Sequence, residues 1–226
     1  MPTRPPNGRR AAPLNAAGFA AQIPVSRETL ARLETHLALL ARWNARINLV
    51  SRASLADPWR RHVLDSAQLM DYLPPVPTGR PRVVVDLGSG AGFPGLVLAC
   101  LGAGTLHLIE ADQRKAVFLR EAARRMGLDV QVHGARIEQL APIPADLVVS
   151  RACAPLPQLL RYSSRFAPEP AQGLPACLFL KGKNLDEELT AAEKAWKMSV
   201  ERFPSRSDPT GTILRIGIAS RADTKS

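Results

Sequence analysis

The stretch Val83-Val-Val-Asp-Leu-Gly88-Ser-Gly90-Ala-Gly92-Phe-Pro-Gly95 decides the fold. With Arg82 before it, Val83 to Leu87 is a short, nearly all-apolar run, the mark of a strand buried on both faces. Glycines crowd the turn that follows, and an apolar helix is expected from Pro94 to about Leu101. Glycine allows positive φ and lets a ligand approach the backbone closely. The spacing is GxGxG rather than the GxGxxG of nicotinamide binders. A strand–glycine turn–helix unit sits at the carboxyl edge of an open α/β sheet, where such sheets bind ligands.

Downstream, strands and helices alternate. Strands are expected at Thr105–Glu110, Val130–His133, Asp146–Ser150 and Ala176–Lys181. Helices are expected at Gln113–Met126, Ala135–Leu140, Leu156–Phe166 and Leu185–Trp196. Alternation of this kind means a parallel sheet with right-handed crossovers and helices on both faces. The tail then changes: Ser199–Phe203 and Thr212–Ile218 read as two strands with no helix between them. Five parallel strands plus this pair make seven. The terminal hairpin points to the methyltransferase version of the doubly wound sheet, not to a dinucleotide-binding one.

Upstream, Ser26 reads as an N-cap, and Leu30, Leu33, Leu37 and Leu40 form the apolar face of a helix running to about Ala45. Asp57-Pro58 starts a second helix, carried by Trp59, Val63, Ala67 and Met70 to about Tyr72. The expected organisation is a disordered basic arm (1–22), a helical segment packed on the core (23–80), a methyltransferase domain (81–220) and a tail (221–226).

The chain has 226 residues, 46% hydrophobic and 22% charged, enough for one domain with a real core. Apolar runs such as Leu96–Leu101 fall far short of the ~20 residues that span a bilayer. No signal peptide is evident. Cys100, Cys153 and Cys177 form no metal-ligand pattern, and so sparse and odd a count indicates buried thiols in a reducing, cytoplasmic compartment. The net charge is +10, and the segment 81–160 is nearly neutral, with 8 basic against 7 acidic residues. A positive excess on both sides of it argues for a polyanionic partner, nucleic acid before a membrane surface.

The candidate site residues cluster at strand ends. Asp86, two residues before Gly88, would hold the amino-acid end of S-adenosylmethionine, directly or through water. Gly88 and Gly90 would let it touch the backbone. Glu110 ends the second strand, where a carboxylate can accept both ribose hydroxyls of an adenosine. Asp112 either substitutes for Glu110 or caps the next helix. The Arg136-Ile137-Glu138 turn would pass the adenine. Arg151 could bond the cofactor or a guanine edge, or brace the loop. Cys153 lacks the Pro-Cys setting of a covalent cytosine nucleophile. With no Asn/Asp-Pro-Pro-aromatic run either, what remains is an acceptor that is already nucleophilic, such as a ring nitrogen. No general base and no metal are expected.

Several stretches together are similar to the bacterial ribosomal RNA small subunit methyltransferase G family, also called glucose-inhibited division protein B. They are Trp43-Asn-x-x-Ile-Asn-Leu49, Arg61-His62-x-x-Asp65-Ser66, residues 84–95, residues 115–128, Arg136-Ile-Glu138, residues 150–152 and residues 179–183. The resemblance covers about residues 27–218. It implies a class I S-adenosylmethionine-dependent fold with added N-terminal helices, acting on 16S rRNA or the small ribosomal subunit; a monomer is expected. The implied reaction is methylation of guanine N7 in the decoding-region loop. The family's cofactor contacts fall on Gly88, Phe93, Ile137, Glu138 and Arg151. For RNA, the expected grips are Arg10 and its neighbours in the arm, Arg60, Arg61, Lys181 and Lys183. His62 and Asp65 share one helix face, with RNA positioning and a buried polar tie as equal readings. Competing readings are a class I methyltransferase for another RNA, protein or small molecule, a nicotinamide oxidoreductase, and a silent RNA-binding module. Tritiated methyl transfer, NADH titration and a mass-shift assay would separate them.

Overall fold

A computed structural model describes residues 12–168 and 174–221. Seven strands form one sheet: β1 (Val83–Leu87), β2 (Thr105–Ile109), β3 (Val130–His133), β4 (Leu147–Arg151), β5 (Ala176–Lys181), β6 (Trp196–Pro204) and β7 (Thr212–Arg221). Their order is β3-β2-β1-β4-β5-β7-β6. Pairs among β1 to β5 are parallel, while β7 runs antiparallel to both β5 and β6. This is the class I methyltransferase sheet with its terminal antiparallel pair. The chain leaves β1 toward β2 and β3, then returns to lay β4 on the other side of β1. The β1–β4 boundary is therefore the switch point, where the carboxyl ends of the strands diverge and leave a crevice.

Among the described residues the α-helical segments are α1 (Ala16–Ala20), α2 (Arg27–Asn44), α3 (Arg52–Leu55), α4 (Asp65–Ala67), α5 (Gly95–Cys100), α6 (Gln113–Met126), α7 (Leu156–Ser163) and α8 (Leu185–Glu193). Successive residues of the central strands feed two cores. Val84, Leu106, Leu108 and Val149 face α5, α6 and the N-terminal helices. Val85, Leu87, Ile109 and Val148 face α7 and α8. Both faces are buried, which is why β1 reads as an unbroken apolar run. The helix ends follow local chemistry: Ser26 and Asp112 accept N-cap hydrogen bonds, and Gly127 closes α6 at φ 62°.

Four sequence expectations need correction. The arm does not extend to residue 22: Asn15 caps α1, and Phe19 is fully buried against Trp59, ring centroids 5.5 Å apart. Asp57 fixes the approach by accepting from the Leu14 N–H at 2.9 Å. Residues 1–11, with Arg10, lie outside the described residues. The second N-terminal helix is not regular: a π-helix (Trp59–Leu64) leads into α4 and then a 3-10 turn (Gln68–Tyr72). The turn after β3 is a 3-10 turn at Ile137–Gln139, not a helix over 135–140. Finally, α8 stops at Glu193, and Trp196 opens β6, where its indole is buried in the core beneath α7 and α8.

Candidate active site

Two turns meet at the β1–β4 crevice. After β1, Gly88 and Gly90 take φ of 66° and 53°. A Cβ on Gly88 would stand 2.5 Å from the Cys153 sulfur, so only glycine lets the two turns close on each other. After β4, Ala152 holds φ 52°, a conformation that a non-glycine residue rarely adopts. Between them lies a cleft of about 460 Å3.

Glu110 stands just past β2 and fastens the glycine turn. One carboxylate oxygen accepts from the Gly90 N–H at 2.9 Å, the other from the Asp112 N–H at 2.8 Å. A carboxylate offers about four acceptor sites, so two remain for a ligand. Asp112 caps α6 instead, accepting from Arg114 N–H at 2.8 Å and Lys115 N–H at 3.3 Å. Ile137, Glu138 and Tyr162 line the far wall beside Ile109.

Asp86 lies deeper than expected. It is fully buried, does not line the cleft, and accepts from the Gly95 N–H at 3.1 Å. Its Oδ1 has no partner among the described residues, and burial pushes the carboxyl up to about 7. It supports the glycine turn from beneath.

Phe93 and Arg151 form the inner wall. The Arg151 guanidinium sits 5.1 Å from the Phe93 ring centroid, and His36 and His62 stack on the same ring at 4.7 and 4.8 Å. His36 meets the Ala91 carbonyl through Nε2 at 2.8 Å. Burial pulls the His36 imidazole down to about 4 and that of His62 to about 3. Arg151 thus stands beside two neutral rings rather than two cations.

Cys153 lines the cleft, and burial, with Asp86 and Glu110 nearby, raises its thiol pKa. The thiolate, not the thiol, is the nucleophile. Replacing Cys153 by serine is therefore expected to retain most methyl transfer. Loss of all activity in a folded, cofactor-binding Cys153→Ser protein would reinstate a covalent mechanism.

The structure brings together Gly88, Gly90, Phe93, Glu110, Ile137, Glu138 and Arg151, and leaves Asp86 behind them. The expected RNA grips are largely spoken for. Arg60 pairs with Asp57 at 2.9 Å, Arg61 with Asp208 at 2.6 Å and Lys181 with Glu188 at 2.5 Å. Lys183 is exposed and makes no ion pair among the described residues. Sequence reasoning missed Leu49, Val50, Lys115 and Tyr162, all of which line the cleft. The signal for the first two was present: Asn44, inside the quoted Trp43 motif, accepts from both Leu49 and Val50 N–H groups at 2.9 Å and folds that loop over the cleft.

The residues fit S-adenosylmethionine. The cleft lies within the usual range of small-molecule sites, and Glu110 keeps acceptor capacity where a ribose would lie. Gly90 leaves open space where a Cβ would stand. Among the described residues, no group of three His, Cys, Asp or Glu could hold a metal ion.

Comparison with known proteins agrees. Two solved structures share the fold. The ribosomal protein L11 methylase of Lactobacillus delbrueckii subsp. bulgaricus has a TM-score of 0.53 at 17% identity, over 68% of this chain and 76% of that one. A SAM-dependent methyltransferase from Aquifex aeolicus has a TM-score of 0.54 at 16% identity, over 74% and 96%. The ribosomal RNA small subunit methyltransferase G of Rhodospirillum rubrum is 57% identical over 204 residues, 90% of this chain and 98% of that protein. Its counterpart in Rhodospirillum centenum is 53% identical over 211 residues, 93% and 94%. With the model of the family described as GidB, rRNA small subunit methyltransferase G, matching residues 29–210, the chain belongs to that family.

Proposed function

We propose that this chain transfers a methyl group from S-adenosylmethionine to N7 of one guanine in the decoding-region loop of 16S rRNA, working as a monomer in the cytoplasm. The observation that carries the reading is one cleft in which the glycine turn, Glu110, the Ile137–Glu138 turn and Arg151 converge, in a chain so similar to small subunit methyltransferases. When bound, S-adenosylmethionine supplies an electrophilic methyl on a sulfonium. Glu110 accepts the ribose hydroxyls, the backbone at Gly88 and Gly90 takes the amino-acid end, and Ile137 with Tyr162 packs on the adenine. Phe93 and Arg151 wall the reacting end. Guanine N7 carries a free lone pair and no proton, so these residues need only align the partners and exclude water. The protonated Cys153 thiol suits that chemistry. Among the described residues, no helix is long and apolar enough to cross a membrane.

Glu110→Ala is expected to weaken cofactor binding by about 1.5–3 kcal/mol, the range for a hydrogen bond to a charged group. Titration calorimetry checks this. A larger loss in Asp112→Ala than in Glu110→Ala reverses the assignment.

The RNA surface follows from which cations lack partners. Arg42 and Arg46 on and just after α2, and Arg52 on α3, are exposed and make no ion pair among the described residues. Arg42 and Arg46 line a groove between α2 and α6 with Trp43, where Arg114 and Arg125 are paired with Asp112 and Glu121 and leave Arg42 and Arg46 as the open charges. Lys115 and Arg136 continue the positive surface into the cofactor cleft. Each arginine that meets a phosphate should, when replaced by alanine, reduce the logarithmic salt slope of RNA binding by about one. The Arg42→Ala/Arg46→Ala protein is therefore expected to show a slope smaller by about two units, and Arg60→Ala a slope close to wild type. Filter binding over a salt series tests this, and an unchanged slope in the double variant refutes the surface.

The overall reading is tested by tritiated methyl transfer to small subunits from a strain lacking the enzyme. A single N7-methylguanosine is expected. Label recovered only in protein overturns the reading.

A further inference from the structure

A second cleft, of about 370 Å3, opens beside the first. The two share Leu49, Val50, Arg151 and Ala152, so whatever fills the second lies against the reacting end of the first. Its walls carry His62 and Asp65 from the π-helix and α4, and Ser205 and Asp208 from the β6–β7 turn. We propose that this second cleft holds the acceptor guanine, with Asp65 Oδ2 accepting a hydrogen bond from its N2 amino group. The inference rests on the guanine-N7 reading and names the residue that selects the base.

Three observations carry it. First, Asp65 is oriented in advance but not saturated. Its Oδ1 is filled, accepting from Ser207, from Gln68 at 3.1 Å and from Ser205 at 3.5 Å. Among the described residues its Oδ2 meets only the Arg151 Nη1, at a long 3.3 Å. A carboxylate oxygen accepts two bonds, so Oδ2 has room for another donor. Secondly, Arg151 spans both clefts with donors to spare. Nη1 bonds the Arg61 carbonyl and Asp65, whereas Nε and Nη2 make no hydrogen bond with the described residues. Thirdly, His62 is 5% exposed, and neither ring nitrogen has a hydrogen-bond partner among the described residues. Buried polar groups are nearly always paired, so an unpaired imidazole in a cleft wall marks a place where a polar ligand completes the structure.

The chemistry of the base matches. Guanine carries an N2 amino donor, which the open position on Asp65 Oδ2 accepts. Adenine presents a C–H at that place, so Oδ2 would gain no donor. The neighbouring O6 is an acceptor suited to an Arg151 N–H. N7 remains free. Its lone pair forms the new N–C bond, and the C–S bond breaks with its electron pair going to sulfur. The positive charge that leaves the sulfonium appears on the base, and no proton moves. That charge makes the N2 amino protons more acidic, so their bond to Asp65 strengthens as the methyl transfers. Interactions that strengthen on the way to the transition state are the ones that raise the rate.

The test uses small subunits reconstituted on ligated 16S transcripts carrying guanosine or inosine at the acceptor position. Inosine lacks only the N2 amino group. The wild-type enzyme is expected to lose about tenfold in kcat/KM on inosine, the effect of one missing hydrogen bond to a charged acceptor. Asp65→Ala, checked for folding by cofactor binding, is expected to be slower on guanosine and to treat the two transcripts alike. Asp65→Asn serves in its place if the alanine variant does not fold; it keeps the volume and gives the N2 amino group a weaker, neutral acceptor, so its discrimination should shrink. Equal rates on the two transcripts with the wild type overturn the proposal. So does an unchanged inosine penalty in the variant. Failure of the wild type to methylate even the guanosine transcript would instead fault the guanine-N7 reading.

Discussion

Gly88→Val is expected to abolish S-adenosylmethionine binding while the protein stays folded. Any Cβ at this position meets the Cys153 sulfur at 2.5 Å and its Cβ at 2.9 Å, on a backbone at φ 66°. The turn after β4 must move away, and it carries Ala152 and Cys153, both part of the cleft wall. Backbone strain of this kind costs on the order of 1–3 kcal/mol, which a domain of this size tolerates at a sheet edge. Gly90→Val reaches the same end by another route. A Cβ there meets only the Gly88 carbonyl oxygen at 3.7 Å, so the isopropyl group fills the cleft itself. Calorimetry on the two folded variants checks both. Near-normal affinity in either would show that the glycine turn is not where the cofactor lies.

Phe118→Ala should cause the largest loss of stability, about 3–5 kcal/mol. The ring is fully buried on α6, edge-on to Trp43 at 5.6 Å and 6.1 Å from the His36 ring, both on α2. It is the wedge between the N-terminal helices and the sheet. Removing it leaves a cavity under α2, the helix that leads into the Leu49–Val50 loop. Urea unfolding measures the effect. A loss below about 1 kcal/mol would mean that the site collapses without a cavity, and that α2 is held by other side chains.

The core of the fold was legible because its signals are local. An all-apolar strand, a glycine turn and a following helix declare β1 and α5 within thirteen residues, Val83 to Gly95. The place of Glu110 was legible for the same reason: it directly follows a strand that pairs with β1. What escaped reading depends on distant partners. Arg61 reads as a free cation, yet its carboxylate, Asp208, lies 147 residues away. α1 is too short to stand alone and forms because Phe19 finds Trp59. Lys181 is the instructive miss. Glu188 is close in sequence, but only the turn after β5 brings the two together. Asp86 was rightly placed on β1, but strand position alone does not distinguish a carboxylate facing the cleft from one buried beneath it.

The second cleft has walls from opposite ends of the chain. Asp65 is joined to Ser207 across 142 residues, and Gln68 to the Arg206 N–H across 138. Pairings that distant in sequence close late, since the intervening chain must already be in place. During synthesis the glycine turn and its sheet neighbours leave the ribosome well before the β6–β7 turn does. A nascent chain can therefore shape the glycine-turn cleft while the wall that Ser205 and Asp208 give the second cleft is still missing. The proposed acceptor cleft is complete only when the last hairpin is released.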